Sequence, residues 1–243
     1  MPNHVTTICT VTGPAADVAA FVEKHIVPVP EKGVGVRFFD FGTIIPKPAS
    51  VSETSSGSKQ EVGFFALTGR GAKDASQRWM KKFPALANID SEVPCRRFPY
   101  LPPEITTREK LLAYLVANDP EALVEGAKSL KCLKETGEPD WSEWSLSKWG
   151  TKWGAYDYEE RERGDGRFVF KFETAWSFPE PIFRKLATMY PAVVFAVVSH
   201  DEGDCFGCEG EFNGRDDYRC AKELGNDEMY VRVHGQKREH DEE

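Results

Sequence analysis

Apolar and polar residues alternate with a period of two near the start of the chain, which predicts a β-strand over residues 3–12. One face of this strand would hold Val5, Thr7, Cys9 and Val11, and the other Thr6, Ile8 and Thr10. Gly13 and Pro14 end the alternation, and apolar residues then recur at helical spacing up to Ile26. A strand followed so early by an amphipathic helix predicts the opening of a βαβ-type unit.

A second alternating pattern predicts a β-hairpin from residues 149–160 and 167–176, with its turn at residues 164–166. The second strand places three aromatic residues on one face: Phe168, Phe170 and Phe172. Its other face holds Val169, Lys171 and Glu173. Because three large rings on one face favour burial, we expect helices to cover that side of the sheet.

A helix and a further strand follow the hairpin. Ser177 and Glu180 have the spacing of a capping box, which predicts a helix from there to Tyr190. Residues 193–198 are almost all apolar, as is typical of a central strand. These elements together predict an α+β protein with a ferredoxin-like sandwich, in which helices cover one face of an antiparallel sheet.

The middle of the chain has a different character. Residues 105–134 show two apolar stripes at helical spacing, and Asn118 or Asp119 could cap the second helix ahead of Pro120. A shorter helix is predicted over residues 72–82, which Pro84 would end. The central section is therefore predicted to be mainly helical.

Residues 49–61 are rich in serine and poor in apolar residues, which predicts a mobile loop. With this loop, the chain divides into three predicted parts. They are a ferredoxin-like domain of residues 1–30 and 141–234, an inserted and mostly helical region of residues 31–140, and a frayed tail of residues 235–243.

Several motifs resemble a known family. The segments WGTKWGAYD, FETAWSFPEP and HDEGDCFG, with PNHVTTICTVTG and FDFGTIIPKP nearer the start, are similar to the YubB-type ferredoxin-like proteins of bacteriophages and conjugative plasmids. One departure is the sequence from Cys205 to Cys208, where the family pattern leads us to expect a glycine-rich turn. The resemblance implies a ferredoxin-like fold and an origin on a mobile genetic element, and it implies no catalytic residue.

Charge and composition narrow the choice of function. The net charge is −8 and the pI is about 5.3, with basic residues scattered among acidic ones. A nucleic-acid-binding surface normally gathers Lys and Arg into a patch, so this balance favours a basic protein partner instead. Because the start of the chain lacks the pattern of a signal peptide and no apolar run could span a bilayer, we expect a cytoplasmic protein, within a bacterial host, with no membrane partner.

Six cysteines are present, and without a signal peptide we expect them to be reduced. Cys205 and Cys208 have a zinc-ligand spacing, which Cys220 with His200 or His234 could complete. Redox chemistry is the weaker alternative, since neighbouring acidic residues disfavour a thiolate. The simplest interpretation is two unrelated thiols and no cofactor.

Aromatic and acidic residues supply the candidate surface. We predict that a protein partner binds through seven residues: Trp149, Lys152, Trp153, Tyr156, Trp176, Asp201 and Glu202. Core packing of the tryptophans would explain the same pattern.

The sequence contains no nucleotide-binding fingerprint, hydrolase elbow or zinc-protease spacing. We therefore interpret the protein as a non-enzymatic accessory protein of a mobile element that binds a host or element protein, with counter-defence as one such role. Two alternatives stay open: single-stranded nucleic-acid binding on the sheet, and zinc binding or zinc chemistry at the Cys205–Cys208 turn.

Overall fold

The computed structural model describes residues 3–29, 36–84, 93–215 and 217–238. The chain forms two compact units, one of residues Met1–Pro46 and Lys148–Glu243 and the other of residues Lys47–Ser147. The first unit contains the sheet, and the second is helical.

The elements follow in chain order. Within the described residues the strands are β1 His4–Thr12, β2 Ile26–Pro28, β3 Arg37–Phe39, β4 Tyr156–Gly164, β5 Arg167–Ala175, β6 Val194–Asp201, β7 Gly207–Phe212 and β8 Asp217–Ala221. The α-helices there are α1 Ala15–His25, α2 Ala49–Ser52, α3 Ser58–Thr68, α4 Ala72–Ala75, α5 Gln77–Lys82, α6 Pro94–Arg97, α7 Arg108–Asn118, α8 Pro120–Thr136, α9 Trp141–Lys148, α10 Glu180–Met189 and α11 Asp227–His234. None of these helices combines the length and apolar character needed to cross a membrane.

The main sheet has the strand order β4-β5-β1-β6-β7-β8, and all its neighbouring strands are antiparallel. The strands β1, β4, β5 and β6, with helices α1 and α10, follow one another as in a βαββαβ unit. The fold is therefore α+β with a ferredoxin-like sheet and a helical region, as the sequence predicts. Strands β7 and β8 extend the sheet beyond that unit.

The core lies on the face of the sheet that carries the phenylalanines. Phe168, Phe170 and Phe172 are fully buried, which confirms the predicted covered face. Phe21 of α1 lies 6.1 Å from the ring of Phe170, and Phe183 of α10 lies 6.2 Å from the ring of Phe172. Both helices thus pack on the same aromatic side, and the opposite side is free to present polar groups.

The first unit differs from the predicted domain of residues 1–30 and 141–234, because it continues to Pro46 and resumes only at Lys148. Strand β3 pairs with β2, and the buried rings of Phe39 and Phe41 join the aromatic core. The segment from Arg37 to Pro46 therefore belongs to the sheet unit and not to the insertion. The segment packs on the sheet because burying the rings of Phe39 and Phe41 removes apolar surface from water.

The predicted hairpin is wrong over residues 149–155, because its first strand begins at Tyr156. Residues 149–155 form a turn instead, which follows the end of α9 at Lys148. The start of α9 is capped by the Asp140 carboxylate, which accepts hydrogen bonds from the backbone N–H groups of Ser142 and Glu143. The capping box is also wrong. Ser177 donates its hydroxyl hydrogen bond to the carbonyl of Gly150, and α10 begins at Glu180 behind a proline.

The predicted mobile loop over residues 49–61 is wrong as well, because it contains α2 and the first turn of α3. Although the segment is rich in serine, Val51 within it and Val62 directly after it are buried. The helix predicted over residues 72–82 is divided into α4 and α5 by Ser76, whose hydroxyl caps α5. Low apolar content over a short window does not prevent a helix when its few apolar residues share a buried face.

The helical unit is built around α3 and α8, which lie against each other. Its main buried cluster includes Val62 and Phe65 of α3 with Leu111 and Leu115 of α7. Asp119 caps α8 by accepting a hydrogen bond from the backbone N–H of Ala122, as one of the two predicted caps.

A buried histidine makes the stability of the sheet unit depend on pH. The hydroxyl of Thr43 donates to the carbonyl of Asp40. The Thr43 oxygen therefore accepts a hydrogen bond from Nδ1 of His25 at 2.7 Å. The other ring nitrogen, Nε2, accepts from the hydroxyl of Tyr190 at 2.9 Å. This neutral ring is fully buried, and burial, with the charge of Lys24, lowers the pKa of His25 to about 4.

We expect His25 to bind a proton in the unfolded chain, where its pKa is about 6.5, at pH values at which the folded His25 stays neutral. The stability that this histidine contributes is complete above about pH 6.5 and is lost as the pH falls toward 4. Between pH 7 and pH 4 the parent should lose up to about 3 kcal/mol more unfolding free energy than His25→Gln. Equal pH dependence of the two proteins in urea titrations would contradict this assignment.

Candidate functional site

The open face of the sheet, opposite the phenylalanine core, is partly covered by α11. This helix is capped by Asn226 and rests on the sheet through Met229 and Val233, which are buried. Beneath it lies His200 of β6, whose ring is buried against Tyr230 and His234. The sequence analysis missed α11, although an N-cap asparagine and a glycine after the last turn mark it.

Beside α11 the open face forms a polar cleft of about 800 Å³, which we call the open-face cleft. It is lined by His4, Thr6, Glu173, Glu202, Tyr230, His234, Gln236, Lys237 and Arg238. Strands β1 and β5 supply one wall, and α11 with the residues after it supplies the other. We name these the sheet wall and the C-terminal wall.

The sheet wall is held together around His4. Its Nδ1 lies 2.8 Å from the hydroxyl of Tyr156 and 3.3 Å from Oε2 of Glu173. Thr6 donates a hydrogen bond to the other Glu173 oxygen at 3.4 Å. Burial, reinforced by the charge of Glu173, raises the pKa of Tyr156, so its hydroxyl remains a neutral hydrogen-bonding group.

Glu202 lies at the end of the sheet wall, just after β6. Its backbone N–H donates to the carbonyl of His4 at 2.9 Å, and its carboxylate Oε1 accepts from the backbone N–H of His4 at 2.8 Å. These two bonds fix the carboxylate at the edge of the cleft while leaving its second oxygen accessible. The predicted residues Tyr156 and Glu202 therefore meet through His4, which the sequence analysis did not single out.

The C-terminal wall is attached to the sheet by an ion pair. Arg238 donates to both carboxylate oxygens of Asp204, and its guanidinium lies 4.5 Å from the ring centre of Tyr230. Asp204 Oδ1 also lies 2.9 Å from Nε2 of His200. Hydrogen bonding to Arg238 lowers the pKa of Asp204, and burial lowers the pKa of His200, so the histidine is neutral near pH 7.

This attachment corrects part of the frayed tail predicted for residues 235–243. Gly235, Gln236, Lys237 and Arg238 are described, and Arg238 is bound to Asp204. The rest of that prediction, residues 239–243, lies outside the described residues.

Two of the seven predicted binding residues are buried. Trp149 is 7% exposed, packs against Phe41, and donates its indole N–H to the carbonyl of Ile45 at 2.9 Å. Asp201 is 1% exposed, and its carboxylate accepts from the backbone N–H groups of Gly203 and Cys205. Their placement on a binding surface is therefore corrected, because both satisfy polar groups that the fold buries.

The other aromatic candidates are more accessible. Trp176 is 49% exposed and has a positive φ of 73°, and its backbone N–H donates to the carbonyl of Asn3. Trp153 is half-buried, with the Lys152 ammonium 5.1 Å from its ring centre. The hydrogen bond from Ser177 to Gly150 ties the turn that contains these two residues to the chain beside Trp176.

The cysteines are arranged differently from the prediction of reduced thiols. Cys208 of β7 and Cys220 of β8 are directly opposite in the sheet and form a disulfide. The predicted zinc edge of Cys205 and Cys208 is therefore not formed in this structure, and no group of three metal-ligating side chains occurs among the residues described. Cys205 is exposed, and the charge of Asp201, followed by desolvation, raises the pKa of its thiol. Cys9 and Cys132 are buried.

Comparison with a family model supports the fold class. Residues 149–241 match a family model described as the ferredoxin-like domain in Api92-like protein. The chain is also similar to the crystal structure of a protein api92 from Yersinia pseudotuberculosis, at 9% identity over 91% of this chain and 98% of that chain, with a TM-score of 0.37. Comparison with curated proteins gives no significant match. At this level the resemblance stated from the sequence is confirmed, since the matched segment is similar to a ferredoxin-like family of unknown function.

Proposed function

We propose that the protein is a non-enzymatic binding protein that engages a protein partner through the end of the sheet around Trp176 and the open-face cleft. The observation that carries this proposal is the backbone of Trp176. A non-glycine residue at φ 73° costs roughly 1–2 kcal/mol, and here the strained residue is also a half-exposed tryptophan. The exposed half of the ring adds no buried apolar surface to offset this strain, and tryptophan is a common anchor in protein interfaces.

The surroundings of Trp176 favour a polar and partly charged partner surface. Its backbone is bonded to Asn3, and the next residue, His4, is bonded to Glu202 at the cleft. The exposed ring and the cleft are therefore joined by two consecutive residues, Asn3 just before β1 and His4 at its start. An aromatic anchor beside a polar rim is the usual composition of an interface centre.

The biological setting belongs to the same proposal. The motifs similar to YubB-type proteins support an accessory protein of a phage or plasmid that acts on a host or element protein in the cytoplasm of the bacterial host. The net charge of −8 supports a partner with a basic surface.

Replacing Trp176 by Gly separates this function from a structural role. Glycine adopts φ 73° without strain, so Trp176→Gly should stay within about 1 kcal/mol of the parent in unfolding free energy. Affinity purification from host cells, followed by binding of the purified partner, should show a partner that the parent binds and Trp176→Gly does not. An unchanged partner set for the variant would refute the proposal.

A matched control is Tyr100→Ser, which removes a 59% exposed aromatic ring from the helical unit and should leave the partner bound.

The two alternative functions, nucleic-acid binding and zinc binding, are measured on the same protein. Single-stranded nucleic-acid binding would appear as mobility shifts that weaken steeply with salt, and zinc binding as stoichiometric metal lost on changing Cys205 and Cys208 to Ser.

A further inference from the structure

The two walls of the open-face cleft present opposite charges that no side chain in the described part of the chain neutralises. On the sheet wall, Glu202 is exposed, and no cationic side chain pairs with it among the described residues. On the C-terminal wall, Lys237 is exposed, and no carboxylate within the described ranges pairs with it. Both residues line the same cleft.

The remaining charges of the lining are compensated internally. Arg238 is bound to Asp204. Glu173 lies 4.0 Å from the ammonium of Lys171 and 3.3 Å from His4. Among the described residues of the lining, a ligand therefore meets one available carboxylate and one available ammonium, in a space of about 800 Å³. That volume is within the range of small-ligand and peptide-segment sites.

We propose that the open-face cleft binds an extended segment of the partner that presents a basic and an acidic side chain on one side, the basic group on Glu202 and the acidic group on Lys237. This inference rests on the proposed function, because it states the chemistry of the partner segment. Side chains at positions i and i+2 of an extended chain point to the same side, about 7 Å apart. Arginine suits the sheet wall, since its planar fork can donate two hydrogen bonds to one carboxylate.

The probe is the peptide acetyl-Gly-Arg-Ser-Glu-Gly-amide, titrated into the full chain by calorimetry or by NMR. One comparison peptide carries citrulline in place of arginine, and the other carries glutamine in place of glutamate. Each charge-assisted hydrogen bond should favour the charged peptide by about tenfold in affinity. Added salt should reduce both preferences because the cleft is open to solvent.

Two variants assign each preference to its wall. Glu202→Gln should abolish the preference for arginine over citrulline and keep the preference for glutamate over glutamine, whereas Lys237→Gln should do the reverse. Matched controls make the same charge changes away from the cleft: Glu211→Gln on β7 and Lys185→Gln on α10, both exposed. These controls should retain both preferences.

Equal affinity for all three peptides would overturn the inference, and so would equal effects of Glu202→Gln and Glu211→Gln. This result is independent of the natural partner. If the peptide preferences hold while Trp176→Gly keeps its partner set, the proposed function fails and the cleft assignment stands. If Trp176→Gly loses the partner and the peptides show no preference, the inference alone fails.

Discussion

Replacing Phe172 by Ala is expected to destabilise the sheet unit by about 3–5 kcal/mol. The ring is fully buried, and its centre lies 5.7 Å from that of Phe170, 5.3 Å from Phe39 and 6.2 Å from Phe183. Removing it would leave a cavity between the sheet and α10 that surrounding rings cannot fill without leaving their own contacts. Because the chain forms two compact units, the suitable measurement is one that reports on the sheet unit alone, namely hydrogen exchange of the β1 and β5 amides.

The matched control lies one residue away on the same strand. Lys171→Ala acts on the open face, where the ammonium has a 4.0 Å ion pair with Glu173, and should cost less than about 1 kcal/mol. A similar loss of protection in Phe172→Ala and Lys171→Ala would mean that the aromatic side of β5 is not the principal core.

The alternation of apolar and polar residues predicts the sheet correctly, because a strand with one buried face needs apolar residues at alternate positions. In β1 and β5 every second residue is buried and most of these residues are apolar, so shifting either strand by one position would expose the whole set. The covered face and the antiparallel sheet could therefore be predicted. The cap of α8 could also be predicted, because an aspartate followed by proline is a local signal for the start of a helix.

Composition was a poorer guide where burial depends on distant partners. Residues 149–155 resemble a strand in content, but the chain turns there and Trp149 is buried against Phe41. The serine-rich segment resembles a loop, but Val62 enters the core that α3 shares with α7. In both cases contacts with residues distant in sequence determine the local structure, and a short stretch of sequence gives no information about those contacts.

The candidate site could be predicted only in part, because it joins residues from opposite ends of the chain. His4 and Glu202 are hydrogen-bonded although 198 positions separate them, and no local pattern links them. Residue type was also ambiguous. Trp149 and Trp176 are equally plausible anchors in sequence, yet the first is buried in the core and the second is half-exposed.

Replacing Gly63 by Ala is expected to destabilise the helical unit by more than about 2 kcal/mol. A Cβ atom at this position would lie 1.7 Å from the carbonyl oxygen of Ala122, and one at Gly126 would lie 2.3 Å from the carbonyl carbon of Gly63. The obstacle is backbone, which cannot rotate away as a side chain can. Alanine would gain roughly 1 kcal/mol of helix propensity over glycine, but relieving the overlap requires α3 and α8 to separate.

That separation would disturb more than the two glycines. Gln60 of α3 donates a buried hydrogen bond of 2.7 Å to Ser129 of α8, and lengthening it would leave two polar groups without their partner. The control is Gly57→Ser at the cap of α3, where no atom lies within 4 Å of an added Cβ and serine is a good N-cap. Hydrogen exchange of the α3 and α8 amides should therefore speed up in Gly63→Ala and not in Gly57→Ser. Increased protection in Gly63→Ala would mean that helix propensity outweighs packing and that these helices do not meet backbone to backbone.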